Sequence, residues 1–368
     1  MKIIRQICLL AVLLVSWLPG TLNAAEEPVL NVYNWADYIG ETTLADFEAR
    51  TGIKVVYDVY DSNDVLQGKL LAGNSGFDVV VPSSGFLARL ISAGVFQPLD
   101  HARLPNLKHM DPTLLRKLEP FDPGNRHGLP YLWGTTGIGY NREMVASALG
   151  TDTPVTSWDT VFNPENMAKL SKCGISFLDA FDEVFPAVLA YKKLPPNEQD
   201  AAVFEREVVP VLESVSPHIT YFHSSKYIND LANGDICVAL GWSGDVLQAA
   251  RRAEEAGQPF TIDYVIPTEG TSLWFDMMAI PVDAPHPDNA HRFINFLMEP
   301  EVIAKISDRV RYANANKSAT PLVDKSITSD QRIYPPDSIN AKNYTLAPYP
   351  ARLDRQALRM WTRIKTRR

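Results

Sequence analysis

Three short stretches of this sequence place a large aromatic residue beside a carboxylate where a strand-like run ends. The pairs are Trp35 with Asp37, Trp242 with Asp245, and Trp274 with Asp276. Ring faces attract alkylammonium groups by roughly 0.5–2 kcal/mol each, and carboxylates add charge-assisted hydrogen bonds. If the fold brings the three stretches together, they form an anionic site with aromatic walls, and such a site suits an organic cation.

Each pair taken alone has a simpler explanation. A tryptophan after a strand is often part of the core, and Asp37 or Asp245 could serve as the N-cap of a helix. However, core aromatics do not need adjacent carboxylates, and burying an unpaired acid is costly. The repetition therefore favours one shared cationic ligand.

Patterns typical of enzymes and metal sites do not match this sequence. Residues 241–245 resemble a nucleophile elbow around Ser243, but Asp245 stands where that motif requires glycine. The glycines of residues 134–139 lack the spacing and the lysine of a phosphate loop, and we interpret them as a flexible crossing between lobes. No histidine has the spacing of a metal site, and His223 is interpreted as a buried or helix-capping group. The sequence predicts no enzyme, no cofactor and no metal.

The first residues have the composition of an export signal. Lys2 and Arg5 precede an apolar run over residues 7–18, and small residues follow at Ala24 and Ala25. The run is shorter than the roughly 20 residues that a membrane span needs. We expect a signal peptide over residues 1–24 and a periplasmic protein.

Two cysteines, Cys173 and Cys237, remain after removal of this leader. In an oxidising compartment an even count favours a disulfide between them over two separately buried thiols, and metal binding is the least favoured alternative.

The composition indicates a globular protein of two domains. The chain has 368 residues, 46% of them hydrophobic, and its formal charge of −8 becomes −10 without the leader, because the leader holds two basic and no acidic residues. This acidity argues against a nucleic-acid partner. The basic ending, residues 352–368, has apolar residues at helical spacing and predicts an amphipathic helix. We expect a monomer.

The elements that must position the candidate site alternate between strand and helix. Residues 30–33, 53–60 and 78–81 are strand-like and are separated by helical stretches, which implies right-handed crossovers and a mostly parallel sheet. A second series includes strand-like residues 175–178 and 236–240. Ligands of such sheets gather beyond the carboxyl ends of the strands, where Trp35, Ser83 and Trp242 would lie.

A series of longer motifs resembles the bacterial periplasmic polyamine-binding proteins, which capture putrescine and spermidine for ABC importers. These motifs are residues 34–39, 81–84, 176–180, 182–185, 221–225, 227–231, 234–239, 241–245 and 312–317. The resemblance implies a type II periplasmic binding protein fold of class α/β. Each of its two lobes is a mostly parallel sheet flanked by helices, and the ligand lies in the cleft between them. We expect the first lobe to contain residues 26–133 and 259–308, and the second to contain 134–258 and 309–368.

The resemblance also implies the ligand-binding residues. They are Trp35, Ala36, Asp37, Tyr38, Ser83, Glu183, Trp242, Asp245, Trp274, Asp276 and Tyr312. Asp276 and Asp245 are the expected main partners of the ligand's ammonium groups. The family usually has serine or threonine at the position of Ala36, so only the backbone carbonyl of Ala36 could contact the ligand.

The choice among polyamines depends on few residues. Trp274 is typical of spermidine-type relatives and Gly85 leaves space beside it, whereas Asp37 and Ala180 are more typical of the putrescine type. On balance the sequence favours spermidine over putrescine. Two alternatives remain: a binding protein for another organic cation or a basic amino acid, and an exported glycosidase that uses paired acids. An inner-membrane ABC permease is the expected partner.

Overall fold

A computed structural model describes residues 26–366, so the predicted signal peptide lies outside the described residues. The strands are β1 (Val29–Trp35), β2 (Lys54–Tyr60), β3 (Val79–Val80), β4 (Gly128–Asn141), β5 (Ile175–Phe177), β6 (Tyr221–Phe222), β7 (Val238–Trp242), β8 (Ile262–Val265), β9 (Leu273–Ala279) and β10 (Ala313–Asn314). The helices are α1 (Thr43–Thr51), α2 (Asn63–Leu71), α3 (Ser84–Ser92), α4 (Pro112–Leu118), α5 (Arg142–Leu149), α6 (Asp159–Phe162), α7 (Pro164–Leu170), α8 (Phe181–Tyr191), α9 (Ala201–Val203), α10 (Val209–Val215), α11 (Tyr227–Asn233), α12 (Ser243–Glu255), α13 (Pro287–Leu297), α14 (Pro300–Val310), α15 (Lys325–Thr328), α16 (Asp337–Asn340) and α17 (Ala351–Thr366).

The strands form two sheets that share the long strand β4. The order is β2-β1-β3-β9-β4-β7-β5-β6, and β8 and β10 also pair with β4. Strands β1, β2 and β3 are parallel, as are β5, β6 and β7, while β4 and β9 run antiparallel to their neighbours. We name β2-β1-β3-β9 the first-lobe sheet and β7-β5-β6 with β8 the second-lobe sheet. The predicted α/β class, with a largely parallel sheet in each lobe, is confirmed.

Strand β4 carries the chain from one sheet to the other. Residues 128–135 of β4 pair with β9, whereas residues 136–140 pair with β7. Residues 134–139, predicted as a flexible crossing, therefore lie within a fully buried strand and do not form a flexible glycine loop. The glycines serve close packing instead: a Cβ on Gly139 would lie 2.5 Å from the Val246 side chain.

Two other crossings differ from the expected lobe limits. Strand β8 pairs with β4 at residues 138–141, so residues after 259 still belong to the second-lobe sheet. Strand β10 pairs with Trp133 and Leu132, so residues after 309 still lie against the first-lobe side. We propose that the chain crosses within β4, between β8 and β9, and after β10, because backbone pairing defines these limits more directly than motif spacing does.

Local sequence explains one helix start and one helix end in the first lobe. The Ser62 hydroxyl accepts from the Val65 N–H at the start of α2, and Gly52 ends α1 in a left-handed conformation with φ of 72°. The predicted amphipathic C-terminal helix is α17, which buries Leu353 and Trp361 and exposes Arg359.

The predicted disulfide between Cys173 and Cys237 is present. It joins the turn after α7 to the residue that precedes β7, and therefore anchors the strand that ends at Trp242. Within residues 26–366, none of the helices combines the length and the apolar character needed to cross a membrane.

Candidate functional site

The strand ends meet between the two lobes and enclose a cavity of about 500 Å³, part of which is open to solvent. Trp35 ends β1 and Trp242 ends β7, and their rings meet edge-on with centroids 5.5 Å apart. Trp274 lies in β9, with its ring centroid 6.4 Å from that of Trp242 and 5.3 Å from that of Tyr312. Residues from distant parts of the chain thus form one aromatic wall.

Ten of the eleven predicted ligand-binding residues line this cavity. They are Trp35, Ala36, Tyr38, Ser83, Glu183, Trp242, Asp245, Trp274, Asp276 and Tyr312. Six further residues line it that the sequence analysis did not name: Tyr60, Asp61, Asn63, Ser224, Ser225 and Ile228. That these residues bind a ligand stays a prediction.

Asp276 is the most deeply perturbed acid of the cavity. Its Oδ2 accepts a hydrogen bond of 2.7 Å from the Tyr38 hydroxyl, while Oδ1 receives none from the described residues. The pKa of Asp276 is raised to about 8, mainly by burial; the Tyr38 hydrogen bond opposes this rise, and the charges of Glu183 and Asp245 contribute to it. Among the acids of the cavity, Asp276 is therefore the one whose charged form a neighbouring cation would stabilise most.

Asp245 stands in the first turn of α12 and is held by two tyrosines. Its Oδ1 accepts from Tyr312 at 2.7 Å and its Oδ2 accepts from Tyr227 at 2.8 Å. Burial raises the pKa of Asp245 to about 6, and the two hydroxyls oppose that rise. The start of a helix also favours a negative charge at this position.

Glu183 is the third carboxylate and lies in the first turn of α8. Its Oε2 accepts from the hydroxyls of Thr136 at 2.7 Å and Ser272 at 2.6 Å. Burial raises the pKa of Glu183, and the hydrogen bonds from Ser272 and Thr136 oppose the rise. Its Oε1 receives no hydrogen bond from the described residues.

Comparison with known proteins identifies the family. Residues 42–334 match the family model for bacterial extracellular solute-binding proteins. The chain is 52% identical over 347 residues to the putrescine-binding periplasmic protein PotF of Escherichia coli, covering 94% of each protein. It is also 52% identical over 358 residues to SpuD of Pseudomonas aeruginosa, a putrescine-binding periplasmic protein, covering 97% of each.

The chain belongs to the family of bacterial periplasmic polyamine-binding proteins. A solved member is PotD of Streptococcus pneumoniae, a spermidine/putrescine ABC transporter substrate-binding protein. It superimposes with a TM-score of 0.74 at 27% identity, covering 92% of this chain and 98% of that one. Membership confirms the expectations of a periplasmic location and of a solute-binding protein, and it argues against the glycosidase alternative.

One predicted residue of this polyamine-binding family member, Asp37, is not among the residues that line the cavity. Its backbone has φ of 55°, in the left-handed region, and its side chain is 47% exposed. Asp37 Oδ1 accepts from Arg252 Nη2 at 3.0 Å, which joins the first lobe to α12 of the second lobe. Asp37 is thus not part of the cavity lining, and its side chain pairs with an arginine of the second lobe instead.

The remaining predicted residues are fixed by hydrogen bonds to the protein. Trp35 Nε1 donates to the Val81 carbonyl at 2.9 Å, which sets the ring across the cavity. The Ala36 N–H donates to the Tyr60 carbonyl at 3.0 Å, so only the Ala36 carbonyl remains for another partner. The Ser83 hydroxyl accepts from Asn63 Nδ2 at 2.9 Å.

Four of the residues that the sequence analysis missed lie just after strands, of which β2 was predicted and β6 was not. Asp61 and Asn63 follow β2, and Ser224 and Ser225 follow β6. The rule that ligands gather at carboxyl ends of parallel strands would have identified Asp61 at the end of β2. Ile228 had no such signal, since an apolar helical residue is usually part of the core.

His223 has the capping role that the sequence predicts, although its side chain is 41% exposed and not buried. Its Nδ1 accepts from the backbone N–H groups of Ser225 at 3.1 Å and Lys226 at 3.2 Å, just before α11. In residues 26–366 no group of three or more histidine, cysteine and acidic side chains could hold a metal ion.

Proposed function

We propose that this protein captures putrescine in the periplasm and delivers it to an inner-membrane ABC permease. The observation that carries the proposal is the joint lining of one cavity by Glu183, Asp245 and Asp276 together with tryptophan and tyrosine rings. A linear diamine offers two ammonium groups for the acids and a methylene chain for the rings.

The free carboxylate oxygens indicate where the ammonium groups would bind. Asp276 Oδ1 and Glu183 Oε1 each lack a hydrogen bond from the described residues, whereas both oxygens of Asp245 accept from tyrosines. Asp276 and Glu183 are thus the favoured direct partners. Asp245 contributes charge, and its two tyrosines keep it in place.

The composition of the lining also bears on the rival ligands. A basic amino acid brings a carboxylate, which needs an arginine, a lysine or a helix N-terminus as its partner. Among the described residues that line the cavity there is neither arginine nor lysine, and two helix starts at the cavity, those of α8 and α12, already carry the acids Glu183 and Asp245. This favours a ligand with positive charges alone over lysine or arginine.

Putrescine is proposed over spermidine because of the relatives. The two proteins that are 52% identical to this chain are named for putrescine, so the comparisons do not support the preference for spermidine that was drawn from Trp274. The Trp274 ring packs edge-on against Trp242 and Tyr312, which is consistent with a wall that limits the cavity. The space beside Gly85 belongs to a neighbouring cavity, lined also by Leu346 and Tyr349, that shares Ser83, Glu183 and Trp274 with the first cavity.

Capture follows from the placement of acids on both lobes. Glu183 and Asp245 belong to second-lobe helices and Asp276 to the first-lobe sheet, so their mutual repulsion resists closure. A diamine neutralises these charges and binds best when both lobes contact it, which shifts the population to the closed form. Closure then presents a defined surface to the permease.

One calorimetric titration series tests the proposal. Purified protein without its signal peptide is titrated with putrescine, cadaverine, spermidine and lysine at pH 8. We expect putrescine to bind at least tenfold more tightly than spermidine, and lysine to give no measurable heat. Tighter binding of spermidine would overturn the choice of ligand, and a response to lysine alone would overturn the assignment to polyamines.

A further inference from the structure

Two chain segments that cross between the lobes run side by side. A hydroxyl group of each segment donates a hydrogen bond to the same oxygen of Glu183. Thr136 is the residue at which β4 begins to pair with the second-lobe sheet, and Ser272 immediately precedes β9. Hydrogen bonds also join the two crossing segments to each other. The Thr136 N–H donates to the Ser272 carbonyl at 3.3 Å, and the Thr271 hydroxyl donates to the Thr136 carbonyl at 2.6 Å.

These donors are among the most buried polar groups of the protein. Thr136 is 1% exposed and Ser272 is 2% exposed. Buried hydroxyls that donate to a carboxylate favour its charged form and fix its orientation. Both donate to Oε2 of Glu183, so Oε1 alone is left for the cavity.

We propose that Thr136 and Ser272 are positioning residues for ligand binding. They orient Glu183 and favour its charged form, and they link the conformation of the crossing segments to the ligand at Glu183. A rotation of the lobes that separates residues 136 and 272 must break a hydrogen bond to Glu183, so occupancy of the cleft and the conformation of the hinge depend on each other. This inference rests on the proposed function, because its ligand is the diamine.

The chain offers a matched control for the test. Thr135 is the neighbouring hinge residue, and it is as buried as Thr136, but its hydroxyl lies 2.8 Å from the Tyr264 hydroxyl and does not contact Glu183. Thr135→Val therefore removes a buried hinge hydroxyl without touching the carboxylate. Thr136→Ser keeps the hydroxyl at its own position.

The first measurement is the affinity for putrescine by calorimetry. We expect Thr136→Val and Ser272→Ala to weaken binding by about tenfold each, the lower range for a hydrogen bond to a charged group. Thr136→Ser and Thr135→Val should stay within about threefold of the wild type. Thermal unfolding checks that each variant is folded. If Thr136→Val does not fold, the affinity of Ser272→Ala tests the inference.

The second measurement is the pH profile of putrescine binding, which a purely structural role would not move. Loss of a donor raises the pKa of Glu183, so the affinity of Ser272→Ala should fall at a higher pH than that of the wild type. Unchanged affinity and an unchanged profile in both variants would overturn this inference alone, as would an equal loss in Thr135→Val. A wild-type protein that does not bind putrescine would overturn the proposed function as well.

Discussion

Among the residues of the cavity, Asp276 combines deep burial with little internal compensation. It is 5% exposed and accepts one hydrogen bond, from Tyr38, whereas Asp245 accepts from two tyrosines. A carboxylate in this state is stabilised more by a ligand cation than one already surrounded by donors.

Replacing Asp276 tests this directly. We expect Asp276→Ala and Asp276→Asn to weaken putrescine binding by more than about 30-fold, since losing one partner of a buried charge pair costs about 2–5 kcal/mol. Asp37→Ala is the control, because Asp37 lies outside the cavity lining and pairs with Arg252. Its effect should be below about fivefold in the same calorimetric titration. Near-native affinity of both Asp276 variants would remove that residue from the site.

Binding should also depend on pH in a range set by burial. The sequence predicts that affinity falls toward the ordinary carboxylate range, near pH 4. In the structure burial raises the pKa of Asp276 to about 8 and that of Asp245 to about 6, so the fall should begin below pH 9 and deepen toward pH 6.

Proton release gives this prediction a second readout. At pH 7 a neutral Asp276 must lose its proton to pair with an ammonium group. The measured enthalpy of putrescine binding should therefore vary with the ionisation enthalpy of the buffer. Constant affinity from pH 6 to 8.5, together with an enthalpy that does not depend on the buffer, would contradict the assignment.

Among the secondary-structure elements, strand β7 links the stability of the fold to the position of the site residues. It ends at Trp242, it is followed at once by α12 with Asp245, and the disulfide holds its start. The disulfide closes a loop with a sequence separation of 64 residues, and loops of this size constrain the unfolded chain appreciably.

Removing the disulfide should destabilise the protein without abolishing the site. We expect the double variant Cys173→Ala/Cys237→Ala to lose about 2–4 kcal/mol of unfolding free energy in urea denaturation. Saturating putrescine should restore part of this loss, because the ligand binds only the folded state. The wild type under reducing conditions serves as the comparison, and equal stability in both redox states would show that the bridge contributes nothing.

For the whole molecule, the cluster of acids between the lobes makes stability depend on pH in an unusual direction. Asp276, Asp245 and Glu183 all have a pKa raised by burial, so at these three groups the folded protein binds more protons than the unfolded chain above the ordinary carboxylate pKa. Their favourable contribution is complete below about pH 4, the unfolded range, and is lost as pH rises through 6 and then 8.

Thermal unfolding checks this contribution. Ligand-free protein should become less stable as the pH is raised from 6 to 8.5, and saturating putrescine should remove or reverse that trend by pairing the ionised acids. The variant Asp276→Asn should show a weaker trend without ligand. Ligand-free stability that rises over this range would show that other groups dominate the titration.

The sequence by itself determined the parts that depend on local pattern. The alternation of strands and helices, the three aromatic–acid pairs, the cysteine pair and the amphipathic end are each visible within short stretches, because backbone periodicity and covalent chemistry act locally. Family motifs extended this to ten residues of the cavity lining.

Only the tertiary structure decided how those parts combine. The hydrogen bond from Tyr38 to Asp276 joins residues 238 positions apart, and the bonds that hold Asp245 and Glu183 are also long in range. The pairing of Asp37 with Arg252 and the pairing of β8 with the second-lobe sheet likewise depend on packing partners. Burial sets the pKa of each acid, and burial is a property of the packed molecule that no short stretch of sequence contains.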